Sequence, residues 1–114
     1  MIKDIALVLQ EIQKLIHDIA TAHGWWENDR NDGECIALMH AELSEALEWL
    51  RLDDSQSSMS DHITEYLGIE EELADVIIRI LDFAEARKLN IGGALVAKIK
   101  YNQGRSYRHG NKKM

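Results

Sequence analysis

The sequence predicts an all-α protein, an antiparallel bundle of four helices. Three observations predict it. Apolar residues recur at steps of three and four through the long segments of the chain. Proline, which breaks helix interiors, is absent from all 114 residues. The links between segments are short and rich in Gly, Asn, Asp or Ser, as neighbouring packed helices require. The length allows one domain, residues 1–114, with a basic tail over 104–114. A composition of 46% hydrophobic and 29% charged residues is that of a globular chain, not a disordered one.

The first helix is expected over residues 2–22, where Ile2, Ile5, Leu9, Ile12, Ile16 and Ile19 form an apolar seam widened by Val8 and Leu15. Gly24 is the expected stop. A polar connection, WWENDRNDGE, leads into a second helix from about Glu34 to Leu52, with Ile36, Met39, Leu43, Leu47 and Leu50 as its stripe. Residues 53–61 read as a loop, with a short helical piece over 62–66. A third helix is expected from Ile69 to about Leu89, turning Leu73, Val76, Ile77, Ile80 and Ala84 inward. Asn90, Gly92 and Gly93 mark a turn before a fourth helix that ends near Asn102. The first helix carries more apolar surface than a bundle of this size covers, so a homo-oligomer is expected.

No apolar run approaches the roughly 18 residues that span a bilayer, and the N-terminus has no cleavage-site pattern, so no membrane association is expected. Cys35 is the sole cysteine, which excludes an internal disulfide and fits a reducing, cytoplasmic setting. The net charge is −7, unevenly spread: residues 1–97 hold 7 Lys and Arg against 20 Asp and Glu, and residues 98–114 hold 6 basic residues and no acid. An acidic body repels a phosphodiester backbone, so no nucleic-acid partner is expected despite the basic tail.

Two acidic pairs carry the chemistry. Glu42 and Glu45 lie three residues apart in HAELSEALEWLR, and Glu72 and Asp75 repeat the spacing in EEELADVIIRILD. Residues at i and i+3 share a helix face, so each pair projects side by side, next to an apolar stripe. A single Glu-x-x-Glu is ordinarily a solvated face. Two pairs on adjacent apolar helices converge if the helices pack, and unpaired carboxylates there are costly unless a cation joins them. Oxygen ligands suit Mg²⁺, with Mn²⁺ as a substitute. A di-iron bundle would need Glu-x-x-His, which does not occur.

Glu-x-x-Glu, a gap of 26 residues and Glu-x-x-Asp together resemble the all-α nucleoside triphosphate pyrophosphohydrolases of the MazG type. The stretch KIKYNQGRSYRHGNKK, with Lys98, Asn102 and Arg105, is similar to that family's closing K…N…R segment. The resemblance covers about residues 24–113 and is to the short, single-domain members. It implies helical bundles assembled as dimers or tetramers. It also implies Mg²⁺-dependent conversion of a nucleoside triphosphate, often deoxy or noncanonical, to monophosphate and pyrophosphate, a house-cleaning hydrolase activity. Many members have two consecutive glutamates at the first motif; here Ala41 precedes Glu42. The water-orienting carboxylate is therefore either Glu42 or Glu45.

On that basis Glu42, Glu45, Glu72 and Asp75 are the expected metal ligands, with Glu42 and Glu45 also catalytic. Lys98, Asn102 and Arg105, at helical spacings of four and three, are the expected phosphate contacts, with Arg108 and Lys112 behind them. Trp25 and Trp26 either stack on the base or anchor the core. Trp49 is a candidate wall of the same pocket, and His23 and His40 are read as structural. The competing reading is a non-enzymatic helical interaction module, in which the acids are a solvated face.

Overall fold

The computed structural model describes residues 2–51 and 58–105. Four helices follow in order: α1 (Ile2–Ala22), α2 (Asp32–Arg51), α3 (Gly68–Ala86) and α4 (Ile91–Gln103). Among the described residues there is no strand, only an isolated bridge between Met59 and Leu67. No helix among them is long and apolar enough to cross a membrane.

Helix ends follow from local chemistry. Gly24 takes φ +83°, its N–H bonds to the Thr21 carbonyl (3.0 Å), and the Trp25 N–H bonds to the Ala20 carbonyl (3.1 Å). This paired closure ends α1 and fixes where the two tryptophans begin. Asn31 Oδ1 accepts from the Glu34 N–H (2.7 Å), so α2 starts at Asp32, two residues earlier than its spacing predicts. The same closure recurs after α3, with Lys88 at φ 58° in the position glycine usually takes, and the Leu89 N–H on the Ala84 carbonyl (2.8 Å). That turn stops α3 at Ala86 instead of Leu89. Asn90 then caps α4 through Gly93 N–H (2.9 Å), so both glycines lie inside the first turn of α4.

The expected helical piece at 62–66 is not a helix. Buried Ser60 organises it instead, its Oγ accepting from the N–H groups of His62 and Ile63 (both 3.1 Å). The same hydroxyl donates to Glu71 Oε1, and His62 Nδ1 lies 2.9 Å from Glu71 Oε2. A side-chain network thus ties this loop to α3, which apolar spacing cannot reveal. Glu70 contributes as well, accepting from the Leu67 N–H (2.7 Å) at the start of α3.

α3 packs against α2 and α1, and α1 packs against α4. Gly92 makes the last contact close, since a Cβ there would lie 2.6 Å from the Ala6 carbonyl oxygen. The arrangement is open: the radius of gyration is 16.8 Å, against about 13 Å for a compact chain of this length.

The buried line differs from the predicted one. On α1 the most enclosed residue is Gln13 (2% exposed), which donates to Glu85 Oε1 (3.1 Å) and to the Leu89 carbonyl (2.9 Å). Ile5, Ile12 and Ile19, expected inside, are exposed, as are Val8 and Leu15. On α2, Cys35, Glu42 and Ala46 are buried while Ile36, Leu43, Leu47 and Leu50 face out. On α3, Val76, Leu81 and Ala84 are buried, but Leu73 and Ile77 are not. Small and polar residues let the helices approach within one chain, and the large aliphatic stripes remain outside.

Candidate metal centre

Three of the four predicted carboxylates meet. Glu42 and Glu45 from α2 and Glu72 from α3 each place an oxygen so that all three lie within 4.8 Å of one another. The i, i+3 spacing sets the first two side by side, and the α2–α3 packing brings the third. Glu42 is buried and Glu45 exposed, so the group runs from the helix interface to solvent. Oε2 of Glu72 is buried and has no hydrogen-bond partner among the described residues.

The electrostatics record the crowding. Glu72 is pushed up to about 7, first by burial, then by the neighbouring carboxyl of Glu45 and the charges of Glu42 and Asp75. Asp75 is also raised, by burial first and then by Glu42 and Glu71, with Arg79 opposing. Asp75 is not within the close triple, but with Glu42 it lines the adjoining cleft of about 450 Å³. Ile16, Ile19, Ala20 and Ile78 supply the apolar wall of that cleft, and Trp25 stands at its side.

One neighbour of the carboxylates was not expected. Arg79, the lone cation in the apolar run VIIRIL, donates from Nε to Glu42 Oε1 at 3.0 Å and lines the same cleft. Its position four residues after Asp75 puts it on that face of α3, a signal the sequence did carry. The two tryptophans differ in placement. Trp26 is an anchor: its Nε1 donates to both oxygens of buried Asp82 (2.9 and 3.0 Å), which also meets His17 Nδ1 at 2.7 Å. Trp25 is exposed and lines the cleft.

Lys98, Asn102 and Arg105 are not brought to the carboxylates within one chain. They lie on or just past α4, which packs on α1, and none lines the cleft. Lys98 Nζ and the Arg105 guanidinium instead lie 4.7 and 5.4 Å from the Tyr101 ring centre. Their phasing sets a shared face but not which helix that face meets. Trp49 packs on Gly68, where a Cβ would come within 2.4 Å of the indole, and does not line the cleft. His23 lines the cleft, with Nδ1 2.9 Å from the Ile19 carbonyl, and His40 is exposed. Arg108 and Lys112 lie outside the described residues.

The chain matches no known protein family, no curated protein and no solved structure.

Proposed function

We propose that the chain is a divalent-cation-dependent nucleoside triphosphate pyrophosphohydrolase of the MazG type, yielding a monophosphate and pyrophosphate. The observation that carries this reading is the meeting of Glu42, Glu45 and Glu72 oxygens within 4.8 Å beside an aromatic-edged cleft. The donor set fits a hard cation: all oxygen, with one buried carboxylate oxygen unpartnered among the described residues. Mg²⁺, or Mn²⁺ in its place, would be held by these three with Asp75 on the cleft side. When bound, such a cation neutralises polyphosphate charge and makes a bound water more acidic.

The remaining work falls to the chain. Glu45, exposed and not ion-paired among the described residues, is the carboxylate best placed to orient the attacking water. Glu42 holds Arg79 in the cleft. Trp25 offers a ring beside the cleft for a nucleobase. Incubation of the pure protein with the four dNTPs and Mg²⁺ tests this reading. Equimolar monophosphate and pyrophosphate are the expected products. Orthophosphate release, or no turnover with Mg²⁺ or Mn²⁺, would remove it.

A homo-oligomer, dimer or tetramer, belongs to the same proposal. Among the described residues no large side chain is fully buried, and Ile5, Val8, Ile12, Leu15 and Ile19 form an exposed ridge at steps of three and four. Light scattering is expected to give a multiple of 13.0 kDa. A clean single-chain mass at micromolar concentration would contradict it.

A further inference from the structure

Residues 1–97 are strongly acidic and hold only 7 Lys and Arg. Three of these, Arg30, Arg79 and Arg87, stand against the tryptophans of one short turn. The Arg79 guanidinium lies 5.5 Å from the Trp25 ring centre. That of Arg30 lies 5.9 Å from Trp25 and 5.2 Å from Trp26, and that of Arg87 lies 5.8 Å from Trp26. Cations and rings therefore alternate from the carboxylate cluster outward.

The three arginines are not equally occupied. Arg87 gives Nε to Asp32 Oδ1 (2.7 Å) and Nη2 to the Arg30 carbonyl, and so fastens the turn to α3. Arg79 gives only Nε, to Glu42. Its terminal nitrogens make no hydrogen bond among the described residues. The Arg30 side chain makes neither an ion pair nor a hydrogen bond among them, although it is half-buried. A guanidinium held over an indole keeps its orientation without a carboxylate, and its donor fork stays open for an anion. A planar fork of that kind suits phosphate oxygens.

We propose that Arg79 and Arg30, spaced by Trp25, form the phosphate subsite of this chain. Its ligand class is the polyphosphate of a nucleotide whose reacting end lies at Glu42, Glu45 and Glu72. This rests on the hydrolase reading above, and it moves the phosphate contacts from the Lys98, Asn102 and Arg105 row to the α2–α3 side. Arg79 is the inner cation, shared between Glu42 and the incoming anion. Arg30 is the outer one, free of any carboxylate among the described residues.

The test compares the wild type with Arg30→Met, Arg79→Met and Lys98→Met. Three measurements are made: dNTP kinetics with Mg²⁺, inhibition by inorganic tripolyphosphate, and Mn²⁺ binding without nucleotide. Arg30→Met is expected to raise KM and the tripolyphosphate inhibition constant roughly tenfold, with kcat within about twofold and Mn²⁺ affinity unchanged. Arg79→Met is expected to raise both constants at least as far, and Lys98→Met to leave them near the wild type. A lower melting temperature in Arg30→Met with unchanged KM and inhibition would mark a stacking role only and overturn the subsite. A KM increase in Lys98→Met with none in the two arginine variants would overturn it too, leaving the hydrolase reading standing. Absence of turnover and of tripolyphosphate binding in the wild type would end both.

Discussion

Glu72 on α3 and Glu45 on α2 bring carboxyl oxygens within 4.8 Å of each other across a helix interface, and Glu42 completes the set. Two like charges that close cannot both ionise freely at low dielectric. The Glu72 carboxyl, ordinarily near 4.5, is pushed up to about 7, so the folded chain holds that proton more tightly than the unfolded chain does. Its contribution to stability is full below about 4.5 and is lost as pH rises through about 7. The melting temperature of the metal-free protein is therefore expected to fall across that window. Millimolar Mg²⁺ is expected to reduce the fall, because a cation replaces the lost proton. Melting curves from pH 4.5 to 8, with EDTA and with Mg²⁺, measure both effects; identical curves would argue against a shared cation.

Glu42→Gln and Asp75→Asn are expected to remove turnover and spare the fold. The glutamine oxygen still accepts from Arg79 Nε, and the asparagine relieves repulsion among neighbouring acids. Loss of a ligand should exceed the roughly 10–100-fold cost of removing an outer partner of a metal site. Circular dichroism beside a pyrophosphate assay separates the two effects, and full activity in either variant would count heavily against the site.

The loop before α3 has its own titration. Glu71 raises His62 above its ordinary 6.5 through a hydrogen bond and its charge, while Ser60 and His62 lower Glu71. The histidine's share of the loop's attachment is present below 6.5 and is lost as pH rises through its raised value. The glutamate's share is present above 4.5 and is lost as pH falls through its lowered value. An NMR titration of His62 is expected to show a midpoint above 6.5, returning towards it in Glu71→Gln.

Lys88 occupies a left-handed backbone position, φ 58°, at the end of α3. A side chain there costs about 1 kcal/mol relative to glycine. Lys88→Gly is expected to stabilise the protein by roughly 0.5–1 kcal/mol in urea unfolding; the charge lost is an exposed one, 3.8 Å from Glu85.

Gly92→Ala acts in the other direction. The added methyl would meet the Ala6 carbonyl at 2.6 Å and push α4 from α1. Overpacking of this kind costs about 1–3 kcal/mol, and a melting temperature equal to the wild type would show that the two helices separate freely.

Helix number and order, and most of the acidic site, were legible in the sequence, because the 3.6-residue period fixes which side chains share a face. Glu42 and Glu45 followed from that period alone, and Glu72 from the assumption that α2 and α3 touch. What the period does not carry is partner choice between helices. It placed Lys98, Asn102 and Arg105 on one face, but α4 turns to α1. It gave no sign that Asp82 would gather His17 and Trp26 from 65 and 56 residues away. The spacing of the aliphatic stripes predicts core because large apolar residues are normally the buried ones, whereas here Gln13, Cys35, Ala46 and Ala84 fill the close contacts.

Ile19 belongs to two surfaces at once: it is 52% exposed on the outer ridge of α1, and it also lines the cleft beside Glu42 and Asp75. A second copy seated on that ridge would reshape the mouth of the cleft as it docked. Dilution would then open the mouth, and specific activity should drop with protein concentration at a fixed supply of nucleotide and cation.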